Sequence, residues 1–281
     1  MFDETPAECV SLMQTPAFAQ ALKLCGQTPL TLSSGEMLLI RRFLGLRVAM
    51  LPRSAPPEDL EAQLHTLGLR RTPVILSPDV PCALPRAVPI RRARDQIVLK
   101  LAGGNDLARA RLHSKWRNQL ARVEKRPVHV TYGPLDPDPR HPLLVLEQAQ
   151  CAERRYQNWP AALTAAFAAA APRQTHLFSA EYRDKTVAHM LFLSHGSRAT
   201  YHIGHITPLG RKLYAHNLLL WRASRLLATL GHQTLDLGLM QHGATGLNRF
   251  KLRTGAERHP TGGTWLYWRP LAKHPPRPSS P

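Results

Sequence analysis

Acidic residues are scarce in this chain of 281: 19 Asp and Glu stand against 37 Lys and Arg, a formal charge of +18. The excess points to a polyanionic partner such as nucleic acid, a phosphorylated cofactor or an anionic membrane surface. A second source of the excess stays open, because 29 of the 37 are Arg beside abundant Ala, Leu and Pro, the bias of a GC-rich genome. Cysteine is sparse as well. Cys9, Cys25, Cys82 and Cys151 are far apart and form no C-x-x-C, so neither a zinc knuckle nor a redox pair is suggested, and a reduced, cytoplasmic chain is expected. Long apolar runs are missing. The longest, residues 161–171, is mostly alanine and stops at Pro172, about half of the roughly 20 residues that cross a bilayer. The first residues carry Asp3 and Glu4 with no apolar segment behind them, so no export signal and a soluble protein are expected. Core-forming residues are plentiful: 43% hydrophobic residues and five Trp exclude disorder of the whole chain.

Spacing places the elements. Phe18, Ala21 and Leu22 fall on one side of a short helix over 16–24, and residues 37–40 and 46–51 read as two strands joined by a turn. Leu60, Leu64 and Leu67 have helical spacing, residues 73–76 form an apolar run, and the prolines between 77 and 94 predict an irregular connection. A domain boundary is expected near Gly103-Gly104. Leu112, Trp116, Leu120 and Val123 recur at i, i+4, i+8 and i+11, which predicts one amphipathic helix over 106–125, capped by Asn105 or Asp106 and ended by Pro127. Arg111, Lys115, Arg122 and Arg126 form its basic stripe, either a nucleic-acid contact or a solvated face; no nucleic-acid module accompanies it.

A strand over 129–132 and helices over 143–156 and 160–171 follow. Residues 177–182, 187–194 and 200–206 predict an antiparallel meander. A Leu-rich helix over 211–230, a strand over 234–239 and a last strand over 264–268 complete the pattern, and the proline-rich stretch 273–281 reads as a disordered tail. Alternation puts Thr234, Asp236 and Gly238 on one face of their strand. His202 and His205, three apart on a strand, would point to opposite faces, which argues against shared metal ligation. The 14 histidines yield no Ser/His/Asp or Cys/His set, so no covalent nucleophile is indicated.

Several segments together resemble the FemAB-like branch of the GNAT acyltransferase superfamily. Residues 112–120 resemble its K-x-R-x-x-[IL] helix, Tyr201 through Trp221 its "Y…P-x-G-R…L-L-W" stretch, Leu235-Asp236-Leu237-Gly238 its "D-L-G-G", and residues 250–257 its "F-K-x-G-F-G-G-E". They occur in the family's order over most of residues 107–268. The resemblance implies an α/β fold of two GNAT-like halves, each a mixed, mostly antiparallel sheet flanked by helices, the N-terminal half (1–104) shortened and the C-terminal half (105–270) complete. It implies an N-acyltransferase: an acceptor amine, on a small molecule or a peptide, attacks an ester or thioester held between the halves. The donor would be acyl-CoA or aminoacyl-tRNA, used as a substrate, with no tightly bound cofactor and no metal.

By the same resemblance Lys251 and Asp236 would be catalytic, Lys251 lying near the reacting carbonyl or a substrate phosphate, where a cation would stabilise developing negative charge. Gly210, Arg211, Lys212 and Asn217 would hold the donor, the turn before the long helix offering a helix N-terminus and two cations. Tyr201, His205, Gln241, His242 and Lys115 would line the substrate. Departures stand beside the likeness. The glycine-rich Q/R-x-x-G-x-G/A signature of acetyl-CoA enzymes is missing, and Arg253, Thr254 and Ala256 replace Gly, Phe and Gly of the last motif. A non-catalytic basic module binding RNA or an anionic surface remains the alternative.

Overall fold

A computed structural model describes residues 10–43 and 45–271, so the expected tail over 273–281 lies outside the described residues. The elements are, in order, α1 (Pro16–Leu24), β1 (Leu30–Thr31), β2 (Met37–Phe43), β3 (Leu46–Pro52), α2 (Leu60–Thr66), β4 (Val74–Ser77), β5 (Ala87–Arg91) and β6 (Asp95–Lys100). Then come α3 (Asn105–Arg111), α4 (Ser114–Glu124), β7 (His129–Gly133), α5 (Pro142–Arg154), α6 (Ala161–Ala170), β8 (Thr175–Tyr182), β9 (Lys185–His195) and β10 (Arg198–Ile206). The last are α7 (Pro208–Leu213), α8 (Ala215–Thr229), β11 (Thr234–Leu239), α9 (Thr245–Leu252), β12 (Glu257–Pro260) and β13 (Thr264–Tyr267). The fold is mixed α/β, with two mostly antiparallel sheets and flanking helices. It divides into two compact units, one of residues 10–27 and 96–259, the other of 28–95 and 260–271.

That division does not follow one cut near Gly103-Gly104. Helix α1 belongs to the first unit because Phe18 packs its ring against Trp159, 4.8 Å between centroids. The last expected strand belongs to the second unit: β13 pairs with β4 and β5, not with the larger sheet. Strand β5 itself corrects the irregular connection. Pro89 cannot donate to a ladder, and β5 accordingly lies at the edge of its six-stranded sheet, β1-β2-β3-β4-β13-β5. Leu38, Ala49, Leu51, Val74 and Leu76 bury one face of this sheet against Leu60 and Leu64 of α2.

The first unit holds a seven-stranded sheet, β12-β6-β11-β10-β9-β8-β7. The expected meander is there, β7 to β10 running antiparallel. Strand β11 pairs parallel to β10. A parallel return needs a crossover of a dozen or more residues, and α7 with α8 supplies it. Helix α8 is largely buried, with Leu218, Leu219, Leu220, Trp221 and Leu227 all in the core, as a helix laid across a sheet requires. The expected single helix over 211–230 is broken at Tyr214, whose left-handed backbone (φ 61°) separates α7 from α8.

The helix expected over 106–125 is likewise two. The chain turns out of α3 at Leu112 and into α4 at Ser114, where the His113 ring accepts from the Lys115 N–H. Neither Asn105 nor Asp106 caps the start; Gly104 occupies that position. The apolar stripe survives the break, because Leu112, Trp116, Leu120 and Val123 are all buried in the core under α8. The basic stripe does not stay on one helix, and Arg111 and Arg126 each give a hydrogen bond to a backbone carbonyl, of Ala102 and Lys212.

Candidate active site

Strands β10 and β11 pair only over Arg198–Thr200 with Thr234–Asp236. Beyond that point β10 runs on to Ile206 and β11 to Leu239, with a register irregularity between Asp236 and Leu239 and a left-handed Gly238 (φ 85°). The two strands part there. Lys251 stands beside this opening. It lies on helix α9 and not at a strand end, so strand alternation is not what directs it; the helix turns Lys251 inward and leaves it only 5% exposed. Its ammonium sits 5.9 Å over the Tyr201 ring, and a Cβ on Gly238 would come within 3.6 Å of it. Burial pushes its pKa from 10.5 down to about 8, against the attraction of the Asp236 charge. Among the described residues the ammonium has no hydrogen bond or ion pair. Asp236 turns one oxygen to the Gly238 N–H at 2.6 Å, which fixes the bend.

The other side of Tyr201 is a buried polar network. Strand β10 bulges between Tyr201 and Ile203, so alternation is interrupted and the expected opposition of His202 and His205 does not follow from their spacing. The Tyr201 hydroxyl occupies the space that a Cβ on Gly204 would need. Glu147, 4% exposed on α5, accepts at one oxygen from Tyr156 (2.9 Å) and Gln150 (3.2 Å), and at the other from Asn158 (2.7 Å) and the Cys151 thiol (3.6 Å). The same amides reach the bulge: Gln150 donates to the Gly204 carbonyl and Asn158 to that of His202, both at 3.2 Å. The His202 ring meets the Thr164 hydroxyl at 3.1 Å, and burial holds its pKa down to about 4. Glu147, Cys151, Tyr156, Asn158, Trp159 and Thr164 line a pocket of about 420 Å³. Burial foremost, then the Glu147 charge, raises the pKa of the Tyr201 phenol.

Tyr201 and His202 are marked by the sequence, but Glu147, Gln150, Tyr156 and Asn158 around them are not. The signal was an acid on an apolar stripe, since Leu143, Glu147 and Cys151 share helical spacing. His216 was missed too: its Nε2 meets the His205 carbonyl at 3.0 Å, and burial foremost holds its pKa at about 4.

The remaining expected residues are placed as follows. Gly210 packs so closely on β9 that a Cβ would collide with the Val187 carbonyl, and its N–H is bound by Thr207 Oγ1 at 3.0 Å. The turn therefore has a packing reason for its glycine and spends that N–H on its own cap. Arg211 and Lys212 are exposed. Asn217 is buried and faces Gln119 of α4, 3.5 Å away. Lys115 is exposed in the first turn of α4. Gln241 and His242 are exposed in the loop after β11, where Asn248 clasps the Gln241 backbone through two hydrogen bonds.

The chain is an acyltransferase by the family its sequence matches. The chain belongs to the GNAT acetyltransferase-domain family, whose profile matches residues 108–252. Its fold is similar to that of FemX, with a TM-score of 0.72 and 12% identity over 93% of each chain. It is also similar to the C-terminal domain of a putative lysylphosphatidylglycerol synthetase from Agrobacterium fabrum, TM-score 0.58 and 11% identity over 92% of this chain and 89% of that one. L-PGS from Bacillus licheniformis matches at TM-score 0.58 and 12% identity over 92% and 93%. No curated protein matches the sequence.

Proposed function

We propose that this acyltransferase joins an acceptor amine to an acyl or aminoacyl group at the opening between β10 and β11, with Lys251 as its oxyanion partner. The observation that carries the reading is a buried ammonium left without a carboxylate or carbonyl partner, its N–H groups unspent, where two strands separate. An extended donor entering there meets backbone groups that β11 no longer covers. As the amine attacks the carbonyl carbon, negative charge grows on its oxygen, and a cation in a site shielded from water stabilises that charge more than it does the ground state. As the tetrahedral intermediate collapses, the amine's proton passes to the departing ester oxygen or thioester sulfur, which leaves as the alcohol or thiol. Asp236 holds the ammonium by its charge. The pocket under Glu147, with the rings of Tyr156 and Trp159, suits the acceptor amine, because a carboxylate and aromatic faces both attract an ammonium.

The donor is an aminoacyl ester or an acyl thioester. The self-capped turn at Gly210 leaves the side chains of Arg211 and Lys212, in place of a backbone cradle, to meet its phosphates. Similarity to a lysylphosphatidylglycerol synthetase domain, a name that speaks of an aminoacyl product, and the basic charge favour aminoacyl-tRNA as the first donor to try.

The test is a pH profile of turnover at saturating donor, aminoacyl-tRNA and acyl-CoA supplied separately, with an acceptor whose own amine has a pKa below about 6. Lys251 acts as the charged form, so turnover should fall as pH rises through about 8. Turnover that rises through that value would make Lys251 a base and overturn the reading.

A further inference from the structure

We infer that a second pocket of the first unit, lined by Arg249, Arg253 and Arg258, binds the phosphate groups of a small phosphorylated ligand carrying two or more negative charges. Helix α9 has two working faces. Thr245, Asn248, Arg249 and Leu252 fall at i, i+3, i+4 and i+7, one stripe, and all four line this pocket of about 640 Å³. Phe250 and Lys251 project from the other side, Phe250 against the core and Lys251 buried beside Tyr201.

The pocket's walls are built by backbone. The His113 N–H binds the Arg253 carbonyl at 3.0 Å, which ties the break between α3 and α4 to the end of α9. Gly255 takes φ 85°, and a Cβ there would lie 2.9 Å from the Arg111 carbonyl oxygen and 3.0 Å from its Cβ. Only a glycine lets the chain turn this tightly against Arg111. Met240 and Leu252 give the pocket an apolar part.

Its charge is one-sided. Arg249, Arg253, Arg258 and His113 line it, and no Asp or Glu does. Arg111 gives one hydrogen bond, to the Ala102 carbonyl, and the side chains of Arg249, Arg253 and Arg258 make no hydrogen bond or ion pair among the described residues. The neighbouring acid, Glu257, is held by Lys100 at 3.0 Å, with His259 at 3.8 Å. Arginines placed for solubility diverge or pair with acids. Three that line one concavity without a carboxylate leave it positively charged, and a guanidinium matches two phosphate oxygens at once. Phosphate is the fitting class because a carboxylate would satisfy one such fork and leave two.

The inference stands apart from the assignment of Lys251, since its test reads binding and not turnover. Calorimetry of the full chain with inorganic pyrophosphate should give saturable binding. R249A/R253A should weaken it at least about tenfold, while R173A, an exposed arginine outside the pocket, leaves it unchanged. Thermal melts confirm that the variants are folded. Coenzyme A then separates two sources of the phosphates: competition with pyrophosphate assigns the pocket to the nucleotide end of a donor, and simultaneous binding assigns it to a separate phosphorylated effector. No saturable binding of pyrophosphate, equal affinity in R249A/R253A, or capture of an RNA oligonucleotide by these arginines without pyrophosphate binding would overturn the inference.

Discussion

Replacing Lys251 by Met should stabilise the protein while it stops the reaction. The lysine is 5% exposed, and its pKa stands at about 8 against an ordinary 10.5. At ~1.4 kcal/mol per pH unit, holding the proton in the folded state at neutral pH costs about 3 kcal/mol. The contact with Tyr201 is included in that balance only as a partial offset, on the order of 0.5–1 kcal/mol for a cation over a ring. Methionine has the same unbranched stem and no charge to desolvate, so it removes the cost and keeps the packing. The net gain at pH 7 is about 2–3 kcal/mol, and for a folding unit of this size roughly 5–10 °C in Tm. The pH dependence carries the sign. The unfolded lysine keeps its proton up to 10.5 and the folded one only to about 8, so between these values the unfolded state binds more protons and stability rises with pH. The advantage of K251M should therefore be full below pH 8, shrink up to 10.5 and vanish above it. Calorimetric melts of both proteins across pH 6–11 measure this. A K251M protein that melts at or below the wild-type temperature at pH 7 would refute the claim that an unpaired buried charge sits there.

Two further outcomes follow from the site. In E147Q one carboxylate oxygen becomes an amide that must face a donor, either Asn158 or the pair Tyr156 and Gln150, so stability should fall by about 1–3 kcal/mol and the KM for the amine should rise more than kcat falls; an unchanged KM removes the pocket from the acceptor's path. G210A places a methyl group against the buried Val187 carbonyl and should lower stability by about 1–3 kcal/mol or more, read by chemical denaturation. A stable G210A protein that only loses donor affinity would restore the turn as a phosphate cradle.

How much of this could be read beforehand depended on what each signal reports. Period-two and period-3.6 patterns report burial, and burial was read well: β11 spans Thr234–Leu239 as its alternation indicates, and the stripe from Leu112 to Val123 is buried throughout. The same pattern hides a helix break when the stripe crosses it in phase. Only the capping ring of His113 marks the junction of α3 and α4. Strand β6 was legible in Ile97 and Leu99, both buried, but a nearby proline-rich stretch drew the boundary past it. Helix α9 follows a glycine-containing loop and is only eight residues long, so its period has two turns in which to show. Glu147 and Lys251 oppose the burial pattern, and a charged residue on an apolar stripe carries no mark of whether its partners exist.

Those two residues show how partners decide what a buried charge can do. Glu147 has both oxygens filled by neutral donors from Tyr156, Gln150, Asn158 and Cys151, and two of those amides go on to brace the bulge in β10. Its charge is spread over dipoles that are already in place, so it adds to the rigidity of the strand. Lys251 has no such shell. Tyr201 offers a ring face, Asp236 acts from a distance with one oxygen already bound to Gly238, and burial removes water. A cation so placed is less stable than it would be in solvent, and the difference is recovered only when a negative charge forms next to it. Hydrogen-bond donors left unspent in a dry site have that use, whereas a saturated carboxylate can do no more than attract and position. The asymmetry between the two is why the proposed reaction puts the chemistry on the α9 side of Tyr201 and the holding of substrate on the α5 side.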